Sequence, residues 1–261
     1  MCGIFGFALT RPVPLAKVFR LLERLEVHQY PQEQRPVGGY GAGIAILTDE
    51  DSIALEKVGK LSDSPARSLS KMVKAREASV LVAHVRMPSP QFMETTGFRE
   101  TAQPYVVSCH GGLTVVSVHN GNLANYKAIR EKLSNAHELE SEKIELIDSE
   151  VIPHYYEELW KEKANVNNAL NTLFSVLEGQ NTIGLLHVEK EHILLHLIHK
   201  GKTRGLAVWT NNRGEIMFCS RKELLIEELG DMLKQGKFKE KMSIGWREYS
   251  EWKFSLPITR G

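Results

Sequence analysis

The sequence of 261 residues predicts an α+β fold in which antiparallel sheets carry helices on their faces. Strand-like segments arrive in pairs rather than one per helix, and this favours antiparallel pairing over a doubly wound parallel sheet. No internal repeat, low-complexity tract or linker interrupts the pattern. We therefore expect residues 1–261 to form a single domain.

The elements follow from the spacing of apolar residues along the chain. The first strand is predicted at 2–9, ended by Arg11 and Pro12, and an apolar stripe predicts a helix at 15–27. Further strands are predicted at 43–47, 53–58, 79–85, 105–108, 113–119, 183–188, 193–199, 207–210 and 216–220, and further helices at 65–76, 123–133, 148–161, 166–177 and 221–234. Asp148 is a candidate N-cap of its helix. Segment 87–103 has no clear period and is predicted to be a loop.

Composition excludes several classes of protein. The 33 basic and 32 acidic residues nearly cancel, so there is no electrostatic case for nucleic acid or an anionic membrane. No apolar run approaches the roughly 18 residues of a membrane span, and no charged n-region followed by an apolar h-region predicts a signal peptide. The three cysteines Cys2, Cys109 and Cys219 lack CxxC spacing, so no zinc ribbon or disulfide framework is predicted. Reduced thiols in a cytoplasmic protein are the simplest interpretation.

Cys2 is the residue with the clearest chemical potential. Removal of Met1 would leave a cysteine that carries both a thiol nucleophile and a free α-amine. The amine has an ordinary pKa of about 7.7–8.0 and the thiol one of about 8.5, so near neutral pH the amine can accept the thiol proton. This is the arrangement of an N-terminal nucleophile activated by its own amine. The alternative is that Cys2 is a small apolar residue of a first strand.

Three further segments carry groups that an amide-cleaving site needs. The side chain of Asn120 and the backbone N–H of Gly121 are candidate donors to an oxyanion. Arg86 suits a substrate carboxylate because guanidinium binds carboxylate through two parallel hydrogen bonds. Asp148 suits a substrate ammonium group.

Segments 2–6, 83–89, 118–123 and 148–152, in this order, resemble the class II glutamine amidotransferase domain of the N-terminal nucleophile hydrolases. His-Asn-Gly-Asn-Leu at 119–123 and Asp-Ser-Glu-Val at 148–151 look most like the amidophosphoribosyltransferase branch. Arg-Leu-Glu at 24–26 and Gly-Ala-Gly-Ile-Ala at 41–45 are similar to the glucosamine-6-phosphate synthase branch. The resemblance covers roughly residues 2–220. It implies a four-layer αββα sandwich of two antiparallel sheets.

The resemblance also implies roles for individual residues. Cys2 attacks the side-chain amide of glutamine and forms a γ-glutamyl thioester, while its α-amine carries the proton. Asn120 and Gly121 hold the oxyanion. Arg86 binds the α-carboxylate, Asp148 with the Gly121 carbonyl binds the α-amine, and Ser89 is assigned to substrate binding. No metal and no cofactor is expected.

Three features depart from the family pattern. Met87 stands where tryptophan or tyrosine usually follows the arginine, Gln103 stands where histidine often precedes proline, and the loop at 31–41 is longer than in the synthase branch. The changes at Met87 and Gln103 affect packing of the substrate loop more than the chemistry. Retention of Met1 would place the amine on the wrong residue.

The predicted reaction is hydrolysis of glutamine to glutamate and ammonia. No synthase region is recognisable in the sequence, so we expect a separate synthase subunit, such as that of a split glutamate synthase, to accept the ammonia. Two alternatives stay open. One is a hydrolase of another γ-glutamyl amide, and the other is a non-catalytic regulatory or binding protein on the same fold.

The remaining histidines and cysteines carry no prediction of chemistry. His192, His196 and His199 lie in a strand-like segment, where His192 and His196 share a face and His199 does not, so a metal site is not predicted there. We expect His84 and His119 to be packed core residues. Cys109 and Cys219 are expected to be inert thiols.

Overall fold

The computed structural model describes residues 2–190 and 192–258. The strands of this part are β1 Gly3–Pro14, β2 Gly41–Leu47, β3 Ile53–Gly59, β4 Glu77–Val85, β5 Tyr105–Val107, β6 Leu113–Leu123, β7 Gly179–Glu189, β8 His192–Lys202, β9 Leu206–Thr210, β10 Ile216–Cys219, β11 Lys239–Ile244 and β12 Tyr249–Pro257. The helices are α1 Leu15–Val27, α2 Pro65–Met72, α3 Tyr126–Arg130, α4 Val151–Lys163, α5 Val166–Val176 and α6 Lys222–Gln235. Among these residues, no helix is both long and apolar enough to cross a membrane.

The strands form two sheets. One has seven strands in the order β11-β9-β10-β1-β4-β2-β3, and the other has five in the order β12-β8-β7-β6-β5. Every recorded pairing in both sheets is antiparallel. The paired arrival of strands along the sequence therefore predicted the sheet type correctly.

Three clusters of buried apolar side chains separate four layers. Side chains of β1, β2, β4, β9 and β10 meet those of β6, β7 and β8 between the two sheets. The outer face of the seven-stranded sheet packs on α1, α2 and α6. The outer face of the five-stranded sheet packs on α3, α4 and α5. The predicted αββα sandwich of two antiparallel sheets is confirmed.

Two predicted boundaries were wrong. Strand β1 does not end at Arg11 and Pro12 but continues to Pro14, with a register shift between Ala8 and Val13. A proline is tolerated there because an irregular stretch of strand does not require its N–H. The helix predicted at 123–133 is reduced to α3, since Leu123 still pairs with Gly179 as the last residue of β6.

The predicted loop at 87–103 contains two short 3₁₀ helices, Pro90–Thr95 and Arg99–Thr101. The other predicted helices and strands are present, with ends shifted by a few residues. Helix α2 ends at Met72 rather than at Arg76, and β7 begins at Gly179 rather than at Ile183.

Candidate active site

Cys2 directly precedes β1, the central strand of the seven-stranded sheet. It is buried, and its Sγ lies 3.3 Å from the backbone nitrogen of Met87 and 3.4 Å from the Met87 carbonyl oxygen. Alternation along the strand puts Cys2 on the same face as Ile4, which packs between the two sheets. The thiol is therefore held at one end of the space between the sheets. The expectation concerning Met1 lies outside the described residues.

Arg86 directly follows β4, beside Cys2, because Val85 of β4 pairs with Gly3 of β1. Its guanidinium is buried and donates three hydrogen bonds to the 3₁₀ segments: Nη1 to the Thr95 carbonyl at 3.2 Å and to Thr101 Oγ1 at 2.7 Å, and Nη2 to Thr95 Oγ1 at 2.7 Å. A guanidinium carries five N–H donors. Among the described residues, two of these donors are left for a ligand.

The electrostatics of Arg86 link three of the predicted site residues. Burial lowers the pKa of Arg86, and the neighbouring groups of Tyr105, Cys2 and Asp148 oppose this shift. These opposing effects place the thiol, the guanidinium and the Asp148 carboxylate within electrostatic range of one another. The structure thus brings together residues that are separated by up to 146 positions in the sequence.

Asn120 faces the same space from the opposite sheet. Strand alternation puts its side chain on the face of Val116 and Val118, which pack between the sheets. The residue is fully buried, yet neither its Oδ1 nor its Nδ2 has a hydrogen-bond partner among the described residues. Buried amide groups are normally paired, and an unpaired one points to a ligand or an ordered water.

Gly121 lies in β6 between two residues whose backbone N–H groups are already hydrogen-bonded. The backbone nitrogen of His119 donates to Gln103 Oε1 at 2.6 Å, and that of Leu123 donates to Asp148 Oδ2 at 2.9 Å. Alternate residues of a strand direct their N–H and C=O groups to the same edge. The backbone groups of Gly121 therefore face this edge, between the Gln103 amide and the Asp148 carboxylate.

A side chain at Gly121 has no room. A Cβ atom there would lie 1.8 Å from the Gln180 carbonyl oxygen and 2.6 Å from His119 Nε2. Glycine, which has no Cβ, is therefore the residue that fits at this position.

Asp148 is not the N-cap of α4. The helix begins at Val151 with Glu150 at the capping position, whereas the Asp148 carboxylate accepts hydrogen bonds from the Leu123 backbone and, at 3.3 Å, from Ser149 Oγ. The capping interpretation was wrong because strand β6 extends far enough to supply a competing donor. The carboxylate is thereby fixed at the edge where Gly121 lies.

Two of the three departures from the family pattern, Met87 and Gln103, have clear structural roles. Met87 contacts the Cys2 thiol through its backbone, so the identity of its side chain is not what holds the sulfur. Gln103 pairs with the backbone of His119 through both amide atoms, since its Nε2 also donates to the His119 carbonyl at 3.1 Å. That pair fixes the end of β6 just before Asn120.

His84 and His119 are core residues, as predicted. The ring of His119 is buried, lies 2.8 Å from Ser149 Oγ and 3.1 Å from Asn181 Oδ1, and has a pKa lowered by burial. His84 is fully buried, and burial lowers its pKa well below the ordinary value. Both rings are therefore neutral near pH 7 and support the strands that carry Arg86 and Asn120.

A cavity of about 460 Å³ is lined by Met87, whose backbone contacts the Cys2 thiol. Ser89 lines it, next to Pro88, and is half-buried. The remaining lining comes from segment 32–35, Pro90, Arg204, Trp246 and Arg247. Three arginines against one glutamate make the lining basic, which suits a ligand with a carboxylate or another anionic group.

One wall of the cavity is anchored by a buried ion pair. Arg221 Nη2 lies 2.5 and 2.6 Å from the two carboxylate oxygens of Glu33, and the guanidinium stacks on Tyr30 at 4.1 Å from the ring centre. Glu33 also accepts the Tyr30 N–H at 3.0 Å. These contacts hold the loop that the sequence showed to be unusually long.

Glu33→Ala is expected to lower the free energy of unfolding by about 3–5 kcal/mol, because it leaves the Arg221 charge buried without its partner. Urea unfolding measures this change in the free energy of unfolding, with one m-value fitted to the wild type and the variants together. Arg24→Ala is the matched control, since Arg24 pairs with Glu227 and Glu228 on the surface and should cost only about 0–1 kcal/mol. Equal losses in the two variants would contradict the role of the buried pair.

The three histidines of β8 do not converge. His192 is exposed, His196 lies 2.7 Å from Ser255 Oγ and 3.2 Å from the Tyr156 hydroxyl, and His199 lies 3.0 Å from Thr182 Oγ1. The strand interpretation of this segment is confirmed.

Sequence reasoning missed the supporting residues of the site. Thr95 and Thr101 hold the Arg86 guanidinium. Arg204 lines the basic cavity, and Arg221 anchors its wall through Glu33. No spacing rule identifies them, because they act through loops. Only Gln103 had a signal, as a departure from the family pattern.

Comparison with known families and structures places this geometry in context. A family profile described as a glutamine amidotransferase domain matches residues 93–227, a little over half of the chain. The glutamine–fructose-6-phosphate aminotransferase of Sulfurisphaera tokodaii is 30% identical over 186 residues, which cover 70% of this chain and 28% of that protein. The corresponding enzyme of Pyrobaculum aerophilum is 30% identical over 193 residues, covering 72% and 28%. The chain thus spans less than a third of the length of these curated relatives.

Solved structures share the fold. A structure described as the allosteric regulatory enzyme of purine biosynthesis aligns with a TM-score of 0.63 at 16% identity, covering all of this chain and 50% of that one. The glutamine phosphoribosylpyrophosphate amidotransferase of B. subtilis aligns with a TM-score of 0.61 at 17% identity, with the same coverage. At these identities the likeness concerns the fold alone.

Proposed function

The chain belongs to the class II glutamine amidotransferase domain family, and from this premise we propose that it hydrolyses the side-chain amide of glutamine through a thioester on Cys2. The observation that carries the proposal is the buried Asn120 amide, unpartnered among the described residues, that faces the space holding the Cys2 thiol. An amide in that position has no structural bond to lose and is available to a reacting carbonyl.

The first half-reaction uses the thiol and the α-amine of a mature N-terminal Cys2. The amine accepts the thiol proton, and the sulfur attacks the side-chain carbonyl carbon of glutamine. The negative charge that develops on the carbonyl oxygen is stabilised by Asn120 Nδ2 and the Gly121 N–H. The α-ammonium returns its proton to the departing nitrogen, ammonia leaves, and a γ-glutamyl thioester remains.

The second half-reaction reverses the roles. Water gives a proton to the α-amine and attacks the thioester carbonyl, and the same two donors hold the oxyanion. The carbon–sulfur bond breaks, the α-ammonium returns its proton to the sulfur, and glutamate leaves. No other reactant is required.

Recognition of the amino-acid head group rests on the two charged residues. Arg86 binds the α-carboxylate with the donors that Thr95 and Thr101 leave available. Asp148 and the Gly121 carbonyl bind the α-ammonium group, and this is supported by the common edge that they share. Ser89, at the rim of the basic cavity, contacts the substrate on entry.

The ammonia is proposed to pass to a synthase that lies outside these 261 residues. The curated relatives are aminotransferases more than three times as long as the matched region, and this supports a division of labour between glutaminase and synthase. The cavity beside Cys2 is the proposed docking side. Residues 1–261 are proposed to form the single glutaminase domain of this pair.

Incubation with 6-diazo-5-oxo-norleucine, a glutamine analogue that alkylates the attacking thiol, tests the proposal. We expect intact mass to show loss of Met1 and one adduct per chain, with peptide mapping to Cys2, and glutamine turnover to rise when a co-purifying synthase is added. Asparagine and γ-glutamyl amides serve as control substrates. A mature N-terminus without an adduct, or faster release from another γ-glutamyl amide, would contradict glutamine as the substrate.

A further inference from the structure

A second cluster of reactive side chains lies on the outer face of the five-stranded sheet and shares no residue with the candidate active site. Cys109 lies in the turn between β5 and β6, His137 lies in the loop after α3, and His154 and Glu157 lie three residues apart on α4. We propose that these four residues bind one Zn²⁺ ion. The proposal goes beyond glutamine hydrolysis and runs against the expectation from sequence that no metal is bound.

The donor atoms of Cys109, His137 and His154 all lie within 4.8 Å of one another. Cys109 Sγ lies 3.6 Å from His154 Nδ1, His137 Nδ1 lies 3.0 Å from His154 Nδ1, and Glu157 Oε2 lies 3.7 Å from His137 Nδ1. With zinc bonds of about 2.3 Å to sulfur and about 2.0–2.1 Å to nitrogen, tetrahedral ligands lie about 3.3–3.6 Å apart. These three distances are close to that spacing, and the Glu157 carboxylate would turn toward the ion as its fourth ligand.

The Glu157 carboxylate supplies an independent indication of a cation. The residue is fully buried, and its Oε1 accepts the His110 N–H at 3.0 Å. Its Oε2, directed toward His137, has no hydrogen-bond partner among the described residues. A buried carboxylate oxygen without a partner is costly, and a metal ion would satisfy it.

The outer contacts of the two histidines also match a metal site. His137 Nε2 lies 2.7 Å from Glu158 Oε2, so we assign the ring proton to Nε2, which leaves the Nδ1 lone pair directed at the cluster. The Glu150 carboxylate lies 4.0 Å from His154 Nε2. Carboxylates behind ligating histidines are the usual second layer of zinc sites and fix the tautomer.

The neighbouring group of His110, His137 and Glu158 is explained by hydrogen bonds without a metal. Glu158 Oε2 accepts hydrogen bonds from His110 Nε2 at 2.8 Å, from His137 and from Ser134 Oγ at 3.0 Å. This carboxylate oxygen is thus already supplied with three donors, and the ion belongs on the side of His137 Nδ1.

The charges of the four ligands balance those of the ion. The two histidine rings would bind as neutral ligands through Nδ1. The Cys109 thiol would lose its proton and bind as a thiolate. Zinc binding releases that proton, and the thiolate and the Glu157 carboxylate together neutralise Zn²⁺ in a largely buried site.

A zinc ion here would join three chain segments that are otherwise connected through packing. It would hold the β5–β6 turn and the loop carrying His137 against α4. Since α4 begins three residues after Asp148, the ion would also stabilise the end of the chain segment that positions this carboxylate.

Metal analysis of the untagged full chain by inductively coupled plasma mass spectrometry tests the proposal. We expect about one zinc per chain, falling below about one tenth in Cys109→Ser and in His154→Ala. Cys219→Ala and His192→Ala are the matched controls and should keep their zinc. His110→Ala should also keep it, because the backbone N–H that bonds Glu157 is unchanged and the ring belongs to the neighbouring group.

Cobalt substitution provides a readout that does not depend on whether the variants fold. The wild-type chain reconstituted with Co²⁺ should show a thiolate-to-cobalt charge-transfer band in the near ultraviolet and intense visible bands of a tetrahedral ion. The absence of bound metal both as purified and after reconstitution with zinc would overturn the proposal. So would full zinc content in Cys109→Ser, or loss of zinc in His110→Ala alone.

Discussion

Cys2→Ala should lower glutamine hydrolysis by at least about 10⁴-fold, because no other thiol reaches the proposed reacting carbon and removal of a covalent nucleophile typically has effects of this size. Glutamine binding should persist, since Arg86 and Asp148 are unchanged. Glutamate release measures the first quantity and isothermal titration calorimetry the second. The matched control is Cys219→Ala, which removes a fully buried thiol of β10 and should retain activity.

A second variant separates the thiol from the amine. Insertion of one glycine between Met1 and Cys2 keeps the thiol but moves the free amine one residue away, so turnover should also collapse. Wild-type turnover in the inserted variant would eliminate the α-amine as the base while leaving the thiol as nucleophile. Undiminished turnover in Cys2→Ala would eliminate the thioester mechanism altogether.

Asn120→Ala should lower kcat by about 10²–10³-fold with little change in KM, as is typical when one oxyanion donor is removed. The folded state should tolerate the change, because the Asn120 amide has no hydrogen-bond partner to lose among the described residues. Steady-state kinetics give the two constants, and thermal unfolding checks stability.

Asn122→Ala is the control for this variant. Asn122 lies two residues further along β6 and is exposed, so its removal should leave both constants near wild type. An Asn120→Ala enzyme with unchanged kcat, or one with a raised KM alone, would mean that the amide binds the ground state rather than the developing oxyanion.

The sheets were predictable because their signals are local. Paired apolar segments predict antiparallel hairpins, and an apolar stripe placed α1 at its observed ends. The extension of β6 was not predictable in this way, because Leu123 also fits the stripe of a helix. The Leu123 N–H donates to the side chain of Asp148, 25 residues away, and this long-range hydrogen bond favours the strand over the helix at Leu123.

The sequence offered site candidates where chemistry restricts the residue type, as at Cys2 and Asn120. The site was not predictable where support comes from loops. Thr95 and Thr101 hold Arg86 from 3₁₀ segments without periodicity. The proposed zinc ligands were missed for the same reason, since Cys109, His137 and His154 come from three separate segments and have no motif spacing.

The end of β6 also bears on how the protein avoids unwanted association. β6 runs past the end of β5, and an uncovered strand edge of this kind invites another polypeptide to pair with it. Here the Gln103 amide is hydrogen-bonded to the backbone N–H and carbonyl of His119. The Asp148 carboxylate accepts the backbone N–H of Leu123. Within residues 2–190 and 192–258, the edge backbone groups of Gly121 stay open between them. Two side chains thus close the edge to an extended chain, and the opening that is left is a single residue of the strand.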